Sequence, residues 1–146
     1  MKAMFAIALP IAVVAFAVFG VAHEGATGIV KQRMDGMESM SVAMKAIQRH
    51  LAARDFAAIQ AEVGRLRIFA ARVPSWFPPG GDAKSSDALP AVWQRWPDFA
   101  ARAKQLQEEI EKLSSLTGAG DPKRITDQFR AVGQNCAGCH KLFRRP

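Results

Sequence analysis

The residues best suited to chemistry lie together in the stretch "NCAGCHKLFRR", at positions 135–145. Cys136 and Cys139 are the only two cysteines in a sequence of 146 residues, and His140 directly follows the second. Two thiols three residues apart, beside an imidazole, could form a disulfide, a redox pair, part of a zinc site or the attachment point of a haem. The choice among these four depends on the rest of the chain.

The first 22 residues have the composition of an export signal. Lys2 gives a short positive start, residues 3–19 form an apolar stretch, and residues 20–22 supply small side chains at the two positions that a signal peptidase reads. We expect residues 1–22 to be a cleaved signal peptide and residues 23–146 to form one domain. A retained anchor is the alternative, because the apolar run is about as long as a tilted membrane span, roughly 17–25 residues.

Basic residues outnumber acidic ones. The formal net charge is +7, and loss of residues 1–22 removes one lysine and no acid, which leaves +6. In an exported protein, such a surface suits acidic protein partners, an anionic membrane surface or a cofactor that carries carboxylates. We expect protein partners with acidic surfaces, no binding of nucleic acid and no stable membrane association after signal cleavage.

The mature chain shows the periodicity of helices and no alternating pattern of strands. Asp55 and Asp121 suit helix N-caps, and a proline follows the second. Residues 73–90 are rich in Pro, Gly and Ser and predict a long connection, and Pro97 implies a kink or a separate first turn. Amphipathic helices are predicted at about 27–53, 55–72, 90 or 97 to 116, and 121–144. In the first helix, one stripe of apolar residues is predicted to face the core: Val30, Met34, Met37, Met40, Met44, Ile47 and Leu51. The fold class is therefore all-α, an antiparallel four-helix bundle.

The helical setting narrows the interpretation of the cysteines. A thioredoxin-like pair needs a helix N-terminus, usually in a βαβ unit, whereas this motif lies deep in the last helix. A zinc site needs more ligands, and only His23 and His50 remain. A disulfide within a helix is sterically awkward and gives His140 no role. In an exported protein, C-x-x-C-H predicts one covalently bound haem c, because the thiols add to the haem vinyl groups and the histidine ligates iron.

The sequence resembles the class II cytochromes c, the cytochrome c-prime superfamily, over nearly the whole mature chain. The resemblance rests on the C-terminal "CAGCHKLFRR" and on "WFPPG", "LPAVWQRWPDFAARA" and "VKQRMDGM". It implies an antiparallel four-helix bundle with haem between the helices, a periplasmic location and electron transfer or gas binding rather than enzymatic catalysis. It also implies that the first two helices form the dimer surface, if the protein is a homodimer.

The resemblance assigns roles to individual residues. Cys136 and Cys139 are the haem attachment sites, and His140 is the proximal iron ligand. Arg144 matches the arginine that family members carry near the proximal histidine. Arg33 matches an arginine of the first helix that usually lies near a haem propionate.

The residue on the other side of the iron separates two kinds of family member. High-spin members leave iron five-coordinate beneath an apolar residue and bind NO or CO, whereas low-spin members supply a methionine from the first helix and transfer electrons. The matching position, four residues after Arg33, is Met37. We therefore predict a one-electron carrier with His140/Met37 ligation. Met34 and Met40, one turn to either side, are the register alternatives, and a five-coordinate NO- or CO-binding protein is the functional alternative.

A hypothesis from a different class also uses these methionines. Thioethers are soft ligands that select Cu(I). A haem-free exported copper carrier could use the side chains of Met34, Met37, Met40 and Met44.

Overall fold

The computed structural model describes residues 26–81 and 86–146, so the predicted signal peptide at 1–22 lies outside the described residues. Five α-helices are present in these ranges, and a 3₁₀ turn covers Pro74–Trp76. The helices are α1 (Gly28–Ala53), α2 (Phe56–Arg72), α3 (Ala91–Gln94), α4 (Trp96–Ala119) and α5 (Pro122–Phe143). The four long helices confirm the predicted all-α bundle. None of the helices in the described ranges is long and apolar enough to cross a membrane.

The helix ends follow the sequence signals. The carboxylate of Asp55 accepts a hydrogen bond from the Ala58 N–H, and that of Asp121 accepts bonds from the two N–H groups of residues 123 and 124. These bonds satisfy donors that the first turn of a helix leaves unpaired. Gly120 ends α4 with a φ of 72°, a conformation that glycine adopts at little cost. Pro97 marks a new helix, because α3 is a single turn that stops before α4 begins.

Each long helix lies antiparallel to the next one along the chain. Between α2 and α4, the Arg67 guanidinium contacts Glu111 at 2.7 Å. Between α4 and α5, the Gln128 amide donates to the backbone oxygen of Glu109 at 2.9 Å. The tight turn at Arg54 reverses the chain between α1 and α2. As a result, α1 and α5 are also antiparallel, but they approach each other at few positions.

The orientation of α1 differs from the sequence prediction. The periodicity placed Met34, Met37, Met40 and Met44 on one inward stripe, yet only Met40 is buried and the other three are half-buried. The buried line of α1 contains small residues and one arginine: Val30, Arg33, Gly36, Met40, Ala43, Ala46 and Ile47. Small side chains let neighbouring segments approach α1 closely, so this line faces the core and the methionine line is left at its edge.

Candidate haem site

The two thiols lie on successive turns in the last third of α5. Cys136 and Cys139 are half-buried and free, with no disulfide between them. Burial raises the pKa of both thiols, and Arg102 of α4 partly offsets this increase for Cys139. Because Cys136 is more than three turns from the start of α5, the motif does not have the helix N-terminus that activates redox thiols.

His140 directly follows the thiols and is exposed, although part of its imidazole is covered by the chain. Partial burial lowers the pKa of its imidazole, and the nearby charge of Arg144 lowers it further. Both effects favour the neutral imidazole, whose ring nitrogen can bind a metal. In the described parts of the chain, no cluster of three His, Cys, Asp or Glu side chains could hold a metal ion by itself.

Met44 and Gly133 fix the register between α1 and α5. A Cβ added to Gly133 would lie 3.9 Å from Cε of Met44, so these two residues face each other across the edge between the helices. The helices are antiparallel, and a step of seven residues is about two turns, or roughly 10 Å. Met37 lies seven residues before Met44 on α1, and His140 lies seven residues after Gly133 on α5. The register therefore places Met37 at the level of His140.

The same register separates the alternative methionines. Met34 is level with Phe143, one turn beyond His140. Met40 is level with Ala137, and its side chain is only 9% exposed because it packs in the hydrophobic core. Among the predicted candidates, Met37 is thus the one that is both half-buried and opposite the histidine.

The absence of a side chain at Gly36 lets α1 pack closely against the connection to α4. A Cβ at this position would lie 2.2 Å from Cη2 of Trp76, a side chain that is only 2% exposed. The indole therefore occupies the space beside the helix, one residue before Met37. Next to it, Phe77 packs edge-on against Phe99 at a centroid distance of 4.8 Å. In the sequence, "WFPPG" is recognisable only as a family feature, since a motif in a Pro-rich segment does not reveal which helix it contacts.

The two predicted arginines lie at this end of the bundle. Arg33 is buried, and its guanidinium donates hydrogen bonds to the backbone oxygens of Trp76 and Gly81 and to the hydroxyl of Ser86. Arg144 is exposed and lies 3.5 Å from the carboxylate of Asp87. The structure thus places each arginine against the segment that joins α2 to α4. The implied roles, Arg33 near a haem propionate and Arg144 near the proximal histidine, stay predictions.

Haem c fits these residues. Two free thiols and an imidazole follow one another on α5, and the spacers are small: at Gly138 a Cβ would lie 3.3 Å from the Arg102 guanidinium. Across the edge, α1 offers the thioether of Met37. Haem bound here would supply a redox-active iron that could take the imidazole of His140 and the thioether of Met37 as ligands. The chain's part is to hold the thiols, the neutral imidazole and the thioether around it.

Known proteins with similar sequences are c-type cytochromes. The family model described as Cytochrome C' matches residues 28–144. Cytochrome c-556 from Agrobacterium tumefaciens (strain II Chrys) is 30% identical over 102 residues, which cover 70% of this chain and 82% of that protein.

Solved structures share the fold. A carbon monoxide-bound variant of cytochrome c prime from Alcaligenes xylosoxidans is 28% identical, with a TM-score of 0.75 over 81% of this chain and 94% of that one. A cytochrome c' described as having ligand-controlled dimer dissociation is 21% identical, with a TM-score of 0.76 over 81% and 95% of the two chains. The chain therefore belongs to the cytochrome c' family: it is a monohaem c-type cytochrome, an electron carrier or gas binder with covalently attached haem c, and not an enzyme.

Proposed function

We propose that the protein is a one-electron carrier whose iron is ligated by His140 and Met37. The observation that carries this proposal is the α1–α5 register, which sets these two residues at one level. Methionine has a flexible, unbranched side chain that can reach across such an edge. Methionine/histidine ligation raises the reduction potential of haem iron and closes the sixth position to other ligands.

The second candidate is a five-coordinate protein that binds NO or CO. Two solved relatives favour it, because they are described as carbon monoxide and nitric oxide complexes of variants of cytochrome c prime from Alcaligenes xylosoxidans. In that case, Met37 would pack over an open iron as an ordinary core residue.

The haem-free copper hypothesis is wrong, because members of this family carry haem c. The structure also gives it no support. Met40 packs in the hydrophobic core, whereas Met34, Met37 and Met44 are half-buried, so the four thioethers do not share one environment.

Absorption spectra of the reduced protein, with and without carbon monoxide, distinguish the two haem candidates. Met37 ligation predicts sharp α and β bands that CO does not change. A broad high-spin spectrum that sharpens on addition of CO would instead support the gas binder. Spectra recorded after denaturation test the attachment sites, since covalent haem stays with the chain whereas unattached haem is extracted.

We propose that residues 1–22 are cleaved and that the mature protein works in the periplasm, where proteins of this family are found. Proteins of the family can be dimeric. A homodimer would use α1 and α2, on which Val42 and Ile68 expose 49% and 63% of their surface.

We also propose that acidic redox partners dock around the end of α5. Basic side chains cluster there: Arg95 lies over Phe143, Arg102 lies beside Gly138, and Lys141 is exposed. Two more arginines, at 144 and 145, share the single carboxylate of Asp87. The excess of positive charge would steer an acidic partner towards the haem-bearing end of the bundle.

This charge distribution predicts how the electron-transfer rate depends on salt. Oxidation by the anion hexacyanoferrate(III) should slow as salt is added, since the Debye length falls from about 30 Å at 0.01 M to about 10 Å at 0.1 M. Lys141→Glu should reduce the low-salt rate severalfold. Arg124→Glu makes the same charge change about 25 Å away along α5 and should have a smaller effect. Equal effects of the two variants, or rates independent of salt, would contradict the docking proposal.

A further inference from the structure

We propose that Arg33 is a positioning residue that sets the spacing between the two sides of the haem site. It does so through the strap, which we define as residues 76–81 and 86–89. The inference rests on the proposed function in one respect: that function identifies Met37 and His140 as the two sides of the haem site. It assigns Arg33 a role in holding protein segments together, whereas the family resemblance implies that Arg33 lies near a haem propionate.

At one end, the strap is bonded to α1 through Arg33. The guanidinium is 4% exposed and makes four hydrogen bonds: Nε and Nη2 both donate to the Trp76 oxygen, Nη2 also donates to the Gly81 oxygen, and Nη1 donates to the Ser86 hydroxyl. A guanidinium has five N–H groups, so one hydrogen on Nη1 is left for any other acceptor. The plane of the group also lies over Phe77, 4.1 Å from the ring centroid. Most of the binding capacity of Arg33 is therefore directed at the strap.

At the other end, the strap is bonded to the end of α5. The Leu89 N–H donates to the Phe143 oxygen at 2.9 Å, and the Arg145 N–H donates to the Asp87 oxygen at 2.8 Å. These two bonds flank an isolated β-bridge between residues 88 and 144. The Asp87 carboxylate adds contacts of 3.5 and 3.7 Å to the arginines at 144 and 145.

Ser86 joins the two sets of bonds. It is 5% exposed, its hydroxyl accepts from Arg33, and its backbone oxygen accepts from the guanidinium of Arg145. Arg33 lies one turn before Met37, and the attachment at residue 144 lies one turn after His140. The helices α1 and α5 have few direct contacts, and Ser86 links them by hydrogen bonds at the level of the site.

The test uses the haem-loaded protein and measures two properties in each variant: amide hydrogen exchange at Leu89 and Arg145, and the reduction potential. Ser86→Ala removes the hydroxyl that accepts from Arg33 and from the N–H of Ala88. Exchange at both amides should rise about tenfold, and the potential should shift to a lower value as the two sides of the site loosen. Arg33→Lys should do the same, because one ammonium cannot reach three acceptors in the planar geometry of a guanidinium. Ser86→Thr keeps the hydroxyl and should restore both properties.

Two results would overturn the proposal. If Arg33→Lys shifts the potential but leaves exchange at both amides unchanged, Arg33 acts on haem alone. If Ser86→Ala raises exchange but leaves the potential unchanged, the strap is structural and positions nothing. Wild-type ferrous protein that binds CO readily would contradict Met37 ligation, but the exchange rates and the potential would still decide the role of Arg33.

Discussion

Replacement of Met37 by alanine should open the sixth coordination position and lower the reduction potential by on the order of 100 mV, within the roughly 0.8 V range that axial ligands span. The reason is that the thioether stabilises Fe(II) relative to Fe(III), and alanine provides no donor atom. The ferrous variant should bind CO and show a broad high-spin spectrum before CO is added. Potentiometric titration and CO difference spectra measure both effects.

Two neighbouring methionines provide matched controls for Met37→Ala. Met34→Ala lies one turn earlier, on the half-buried edge of α1, and should leave the spectrum unchanged. Met40→Ala removes a buried core side chain and should cost about 2–5 kcal/mol in free energy of unfolding while the sixth ligand is retained. An unchanged spectrum in Met37→Ala, together with CO binding in one of the other two variants, would move the ligand to that residue.

Gly36→Ala should destabilise the protein, because α1 packs against a buried tryptophan at this residue. Its Cβ would lie 2.2, 2.4 and 2.8 Å from three atoms of the Trp76 ring, so the buried indole must move or α1 must shift. Overpacking of this kind costs about 1–3 kcal/mol, and sometimes more. Because residue 36 directly precedes Met37, a shifted helix should also expose the iron to CO. The midpoint of urea unfolding measures the first effect, and CO binding measures the second.

Gly64→Ala is the matched control for Gly36→Ala. Gly64 lies within α2, and a Cβ there would have no neighbour within 4 Å. Alanine is favoured over glycine in a helix by about 0.5–1 kcal/mol, so this variant should be more stable than the wild type. If both variants were stabilised by similar amounts, the close approach of Trp76 to α1 would not be a constraint.

Local signals in the sequence were enough to predict the helices. Asp55, Asp121 and Pro122 mark helix starts through short-range chemistry that depends on neighbouring residues only, and each lies at the start of a helix in the structure. The C-x-x-C-H motif is equally local, since its thiols and imidazole come from five consecutive residues. This is why the fold class and the cofactor could be predicted from the sequence alone.

Long-range packing was not accessible in the same way. Periodicity placed Met37 and Met44 on the core stripe, because it cannot tell that Trp76 lies against Gly36 and thereby sets which face of α1 is covered. The partners of Arg33 are two backbone oxygens and one hydroxyl. Backbone oxygens occur at every residue, so no sequence pattern identifies the two that Arg33 uses.

If Met37 ligates the iron, the sparse edge between α1 and α5 should link the oxidation state to the resistance to unfolding. The other three helix interfaces join sequence neighbours, whereas contact between Met44 and Gly133 closes a long loop, which costs conformational entropy. A bond from Met37 to an iron that is covalently attached to α5 would cross-link this edge as a disulfide does. Linkage is reciprocal, so a ligand that raises the potential must hold the fold more tightly in the reduced state. At 59 mV per factor of ten, about 100 mV corresponds to roughly 2 kcal/mol of extra stability upon reduction.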